Sequence, residues 1–323
     1  MWSGSRERGK TYEVGGGGGE TRLVAVWGWT DERMDGVGVG VGEQTARTGI
    51  GGVDEGLLRG GLCPGQLLEL VGTPEGSGAT QLACALVLHS AAQQGVQCVY
   101  VDTDGRALAC IQSRLQQERR FREAADRIEV VRPAHDLELV ACLLSVFDDQ
   151  LHVSAAQARN SQQGTRSQQR KVVVIGPLSN WLSTSSWSDR RVLVNRIVRL
   201  YRVSVAHCAP HLGPSLVVIS ALASHIGTVL GTLWSDYATV VLRVKLEEHY
   251  AVADTASTFD SVSITLEKSL FQPGGLEQRV AVGAFGRMYE IEPGYVERKS
   301  AGERGNFRDW CDEGRSKADD RQG

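Results

Sequence analysis

The clearest chemistry in this chain is carried by Gly72-Thr73-Pro74-Glu75-Gly76-Ser77-Gly78-Ala79-Thr80, followed by Gln81. The stretch lies between an apolar run and a run of helical spacing. A glycine-rich turn from strand to helix aims backbone N–H groups and the positive end of the helix dipole at one spot, which is the chemistry of phosphate binding. Gly72 to Gln81 are therefore candidate nucleotide contacts, and the Thr80 hydroxyl is placed to reach magnesium. The plainer reading is a tight glycine turn that holds no ligand. Two features depart from the working pattern G-x-x-x-x-G-K-[ST]. Ala79 stands where the phosphate lysine belongs, and the loop is one residue too long counting back from Gly78, unless Gly72 takes the first glycine's role. Glu75 adds a negative charge beside a polyanion site.

The second half of such a site is an apolar strand ending in an aspartate that holds magnesium through water. Here Val172-Val173-Val174-Ile175 ends in Gly176-Pro177. Asp104, after the strand Cys98 to Val101, is a candidate for the acid that polarises water, and the alternation through Tyr100-Val101-Asp102 turns one nearby acid inward. A lysine about 4 Å from a phosphate charge is worth on the order of 4 kcal/mol at an effective dielectric of 20. Taking roughly 3 kcal/mol as the net loss, a micromolar site weakens to the high-micromolar or millimolar range. Hydrolysis suffers more, because lysine and metal also stabilise transition-state charge.

The elements that must position these residues alternate. Strands are expected at Leu67 to Val71, Cys98 to Val101, Ile128 to Val131, Val172 to Ile175 and Leu216 to Ile219. Helices are expected at Thr80 to Gln94, Arg106 to Ala125, Asp136 to Asp149 and Asp189 to Cys208, with an inserted loop over residues 152–170. Uninterrupted apolar strands between helices imply a mainly parallel sheet covered on both faces. Four further strands, at Ala238 to Leu246, Ser261 to Glu267, Arg279 to Val282 and Met288 to Ile291, make a β-rich C-terminal extension. Residues 1–46 are glycine-rich and read as flexible, apart from Leu23 to Trp27, which has the character of an edge or docking strand. The core then runs over 47–292, and the charged tail 293–323 reads as disordered.

Composition narrows the classes. With 41% hydrophobic and 23% charged residues the chain has the balance of a soluble globular protein. A formal net charge of −3 supplies no overall basic field, so contact with nucleic acid must come from a local patch or from a partner. No apolar run approaches the roughly 20 residues that a membrane helix needs. The seven cysteines form no CxxC pair and read as reduced thiols.

Beyond the loop, Thr48-Gly49-Ile50-Gly51-Gly52-Val53-Asp54-Glu55, Gly60-Gly61-Leu62 and Pro64-Gly65-Gln66 resemble the segment that leads into RecA/Rad-type recombinase cores. The phosphate loop and Tyr100-Val101-Asp102-Thr103-Asp104-Gly105 follow in that family's order and spacing. Gly231-Thr232-Leu233-Trp234 is similar to its "LG..W" step, and Lys268-Ser269 with Gly283-Ala284-Phe285-Gly286 to its C-terminal strands. The resemblance covers about residues 47–292. It is strongest to the delta-type eukaryotic paralogue and next to the X-ray-repair cross-complementing second-type paralogue, the latter through Pro74 to Gly78 and Asp102-Thr103-Asp104.

The resemblance implies a RecA-like P-loop NTPase core and a nuclear role in homologous recombination, with other RecA-like paralogues as partners on single-stranded DNA. It implies ATP and magnesium at a weakened site, hence an adaptor with weak or no hydrolysis. The alternative is a DNA-stimulated ATPase using Asp104 and Thr80, completed by a lysine such as Lys268 from a neighbouring subunit. The delta type carries a helical N-terminal domain, which 46 glycine-rich residues do not match. Its polar sensor position offers only Ser220 here. The DNA-facing loop would span Leu178 to Asp189, with Trp181 and Trp187 to stack on bases and Arg190 and Arg191 to hold phosphates. The plainer readings are tryptophans packed on the next helix and a solvated arginine face that continues through Arg196, Arg199 and Arg202.

Overall fold

The computed structural model describes residues 11–13, 23–25, 45–72, 77–159, 170–178, 186–208, 212–223, 227–228, 234, 236–251, 258–283 and 286–291. The chain divides into two units, Met1–Glu43 and Gln44–Gly323. In the first, β1 (Thr11–Glu13) pairs antiparallel with β2 (Leu23–Ala25), Tyr12 opposite Val24. The expected strand at Leu23 thus forms, and its partner lies in the same unit.

The second unit is built on one sheet. Its strands are β3 (Leu67–Gly72), β4 (Val96–Val101), β5 (Ile128–Val131), β6 (Arg170–Ile175), β7 (Ser215–Ala223), β8 (Gly227–Thr228), β9 (Val240–Ala251), β10 (Thr258–Ser269), β11 (Glu277–Val282) and β12 (Met288–Glu290). From edge to edge they run β12-β11-β10-β9-β3-β7-β6-β4-β5, with β8 beside β7. The six from β9 to β5 are parallel, and β10 to β12 extend them antiparallel. Every residue of β3 and β6 is buried, as strands covered on both faces must be. The expected parallel sheet and β-rich extension are both present.

Helices cover the two faces. On one, α1 (Ala79–Ala92) and α2 (Arg106–Gln117) pack with Leu68, Leu70, Val172, Val217 and the inner face of β9 to β11. On the other, α4 (Asp136–Arg159) and α5 (Trp187–His207) pack on Leu67, Val71, Val173, Ile175 and Val218. Here Phe147 and Tyr201 meet with ring centroids 6.3 Å apart. Helix α1 is buried almost all round, because α2, the short α3 (Arg119–Arg122) and the C-terminal strands close over its outer side. The leading segment is pinned by the buried Asp54 carboxylate. It accepts from the Thr48 N–H and Oγ1–H at 2.8 Å each and from the Gly49 N–H at 2.9 Å.

Three expectations are corrected. Helix α4 continues to Arg159, ten residues past Asp149, because Ala155, Ala156, Gln157 and Ala158 favour helix; the remainder of the expected insertion, 160–169, lies outside the described residues. Arg170, expected at the end of that loop, instead opens β6 fully buried. Its guanidinium donates to Leu62 O (2.8 Å) and Ser215 Oγ (2.6 Å). The helix expected over Arg106 to Ala125 breaks at Glu118, whose backbone is extended (φ −106°, ψ 105°). The Glu118 carboxylate gathers Arg114 Nε at 3.0 Å and Arg120 Nη2 at 2.9 Å, and the turn buries Phe121 against α1.

Candidate nucleotide site

Strand β3 delivers Gly72 to the carboxyl edge of the sheet, where ligands of parallel α/β sheets bind. A Cβ on Gly72 would collide with Ser77 Oγ and lie 3.2 Å from Ala79 Cβ, so only glycine lets the returning chain pass this close. Gly78 caps α1 at φ +81°, the left-handed region, with Val262 and Val244 side chains packed against it. Ser77 and Ala79 are buried, 4% and 3% exposed. Ser77 Oγ accepts a long hydrogen bond (3.4 Å) from the Ala79 N–H, one of the unpaired donors that head a helix. Thr80 and Gln81 are half-buried in the first turn of α1. Thr73, Pro74, Glu75 and Gly76 lie outside the described residues.

The two acids after β4 serve the head of α2. Asp102 is fully buried; its Oδ1 accepts from the Gly105 N–H and its Oδ2 from the Leu108 N–H, each at 3.0 Å. Asp104 Oδ1 accepts from the Arg106 N–H at 3.0 Å, and Arg106 Nε stands 3.8 Å from Oδ2. Burial, with Asp102 beside it, pushes the Asp104 carboxyl above the usual range against the pull of the Arg106 N–H. Both carboxylates thus cap a helix, and Asp104 is the half-buried one at the crevice.

At the end of β6, the Gly176 N–H donates to Val101 O at 2.8 Å. A Cβ there would lie 3.1 Å from that carbonyl oxygen and 3.2 Å from Thr103 Oγ1, itself held by a 3.0 Å bond to Pro177 O. The position that would carry the metal-holding acid is therefore crowded, and a side chain there needs its neighbours to shift by a few tenths of an ångström. Gly176→Ala is expected to cost about 1–2 kcal/mol through overpacking, read as a lower urea midpoint. An unchanged midpoint would contradict this packing.

One residue was not singled out from sequence. Glu69, in the middle of β3, is 1% exposed. Its Oε1 accepts from Ser220 Oγ at 2.7 Å, while Oε2 has no hydrogen-bond partner among the described residues. Burial raises its pKa to about 7, offset in part by the Ser220 bond; Glu267 raises it further and Lys268 lowers it. Ser220, the one polar group at the sensor position, is thereby turned into the sheet. A lone acid inside the apolar run Leu67-Leu68-Glu69-Leu70-Val71 was the available signal. Lys268 lies on β10, paired with Val241.

Of the DNA candidates, Trp181 lies outside the described residues, as does most of its loop. Trp187, expected in that loop, is the first residue of α5. The helix begins two residues early because Ser186 Oγ caps it, accepting from the Asp189 N–H at 3.2 Å. Arg190 is half-buried, and Arg191, Arg196, Arg199 and Arg202 are exposed. The Arg202 guanidinium sits 5.1 Å above the Tyr237 ring. Among the described residues no acid pairs with Arg191, Arg196 or Arg199, so α5 presents an arginine face. No cluster of three His, Cys, Asp or Glu residues placed to bind metal occurs among the described residues, and no helix there is long and apolar enough to cross a membrane.

A six-stranded parallel sheet with an antiparallel C-terminal extension, and a glycine turn feeding α1 at its carboxyl edge, define a RecA-like α/β core. No family model matches the chain. It is 30% identical over 251 residues to mouse (Mus musculus) DNA repair protein RAD51 homolog 4, covering 74% of this chain and 71% of the relative. Identity to the bovine (Bos taurus) protein of the same name is 28% over 253 residues, with the same coverage. DNA repair and recombination protein RadB of Halobacterium salinarum is 40% identical over 91 residues, 28% of this chain and 37% of the relative. The chain belongs to the RAD51 family of recombinase paralogues.

Proposed function

We infer that this chain is a DNA-repair protein of homologous recombination, and that it acts in the nucleus as an adaptor in a complex of RecA-like paralogues rather than as an ATP-hydrolysing motor. The observation that carries the reading is at the head of α1. Ala79 is buried where the phosphate cation is needed, and the Ser77 hydroxyl already occupies its N–H. The crowding at Gly176 supports it, since among the described residues at this edge of the sheet magnesium then has the Thr80 hydroxyl and the helix-capping Asp104 to draw on. ATP and magnesium bind weakly on this reading. Within the family we read the chain as the delta-type paralogue, a reading that the 30% identity to RAD51 homolog 4 supports.

Contact with single-stranded DNA comes chiefly through the complex, with Trp181, Trp187, Arg190 and Arg191 as this chain's contribution. Such contact is salt-sensitive, because it rests on phosphate charges. Co-expression with RecA-like paralogues of the same organism tests the adaptor role. The expected result is a stable complex, retained on single-stranded DNA, that forms without nucleotide and is unchanged by Thr80→Ala. Loss of assembly on removing nucleotide or on Thr80→Ala would favour the second reading. That reading is a DNA-stimulated ATPase completed by a neighbouring subunit, for which Thr80 and Asp104 are the retained groups.

A further inference from the structure

Helices α1 and α2 meet along a seam that holds two thiols. Cys84, on α1, is fully buried and its Sγ lies 4.0 Å from Ala107 O, one turn before Cys110 on α2. Cys110 is half-buried. A Cβ on Gly286 would lie 3.0 Å from Cys110 Sγ and 3.1 Å from Cγ of Gln81, which is one turn before Cys84 on α1. The two sulfurs are thus placed in the same seam from both sides. We propose that Cys84 and Cys110 are a redox-responsive pair that hydrogen peroxide closes into a disulfide, tying the helix that carries the phosphate loop to the helix capped by Asp102 and Asp104.

The chemistry of the two thiols is unequal in the required direction. The hydrogen bond from Cys84 lowers the Cys110 pKa, against burial, while Cys84 is raised well above the usual thiol range by its bond to Cys110 and then by burial. Cys110, the more accessible, is the attacking thiolate. Its sulfur attacks one peroxide oxygen, the O–O bond breaks, and with one proton taken up the products are the Cys110 sulfenic acid and water. The Cys84 sulfur then attacks the sulfenic sulfur, the S–O bond breaks, and the departing hydroxide takes the Cys84 proton to leave as water. Overall two thiols lose two electrons and peroxide gains them.

The test treats the purified full chain with hydrogen peroxide, alkylates free thiols, and maps linked peptides by mass spectrometry without reduction. The expected product joins the peptides of Cys84 and Cys110. It disappears in Cys84→Ala and in Cys110→Ser and persists in Cys98→Ala. The thermal midpoint should rise by roughly 5 °C and fall back with dithiothreitol. The proposal is overturned if Cys110 stays alkylatable or ends as sulfonic acid with Cys84 free, or if the linkage survives Cys84→Ala. Should Cys84→Ala fail to fold, the Cys110→Ser and Cys98→Ala chains still decide between this pair and another.

Discussion

Replacing Ala79 by lysine is expected to tighten ATP binding by about 100-fold while hydrolysis stays at background. The gain follows from one missing charge. An ammonium near a phosphate contributes on the order of 3 kcal/mol net at an intermediate dielectric, and each 1.4 kcal/mol is about tenfold. The described end of the cradle is in place, since Gly78 holds its left-handed turn and α1 begins directly after it. The Ser77 hydroxyl limits the gain, because it must give up the Ala79 N–H to an incoming oxygen. Hydrolysis does not follow, because the lysine restores neither the acid absent at Gly176 nor the freedom of Asp104, which caps α2. Isothermal titration and a phosphate-release assay on Ala79→Lys check both halves. Unchanged affinity would mean that the cradle is not a phosphate site, and turnover from the single substitution would mean that a metal-holding acid is supplied from elsewhere.

Glu69→Gln is expected to flatten the pH dependence of stability and to stabilise the chain by about 3 kcal/mol at pH 8. Burial lifts the folded-state pKa of Glu69 to about 7, from an ordinary 4.5. A carboxyl raised in the folded state binds its proton more tightly there than in the unfolded chain. Its contribution is therefore complete below 4.5 and is lost as pH climbs through about 7. Glutamine keeps an oxygen for the Ser220 O–H and has no charge to bury. Below pH 4.5 the two proteins should differ by less than about 1 kcal/mol. His89 acts on the acid side. Burial, then the charges of Arg120 and Arg114, lower its pKa to about 3 from 6.5, so stability present above 6.5 is lost as pH falls through about 3. That contribution is common to both proteins and cancels when they are compared at each pH. Parallel urea-midpoint profiles from pH 5 to 8 would refute the burial of an ionisable Glu69.

Much of this architecture is legible in the amino-acid order, for a physical reason. Strands buried on both faces must be apolar throughout, so Val172 to Ile175 and Leu216 to Ile219 announce themselves, and glycine at Gly72 and Gly78 marks where backbone must pass close or turn left-handed. The strands of the C-terminal extension fall within a few residues of their expected bounds, apart from β9, which runs on to Ala251. What local pattern does not carry is what a polar residue is paired with. Arg170 reads as part of a polar loop, yet its guanidinium donates to Leu62 O and Ser215 Oγ, both far away in sequence. Glu118 reads as an ordinary helix former, yet its backbone is extended and its carboxylate pairs with three arginines, Arg114, Arg120 and Arg287. Trp187 is expected in the DNA-facing loop that the family resemblance implies, and the cap at Ser186 brings it into the helix. In the site, the missing cation is visible at Ala79 itself. The crowding at Gly176 and the diversion of Ser220 to Glu69 depend on neighbouring strands and could not be seen from either segment alone.

The most direct measurement is ATP turnover by the purified chain, alone and joined to a RecA-like paralogue whose own lysine is replaced, with single-stranded DNA present in both. No phosphate release above background is expected in either sample. Turnover that the chain supports and that Thr80→Ala abolishes would contradict the adaptor reading.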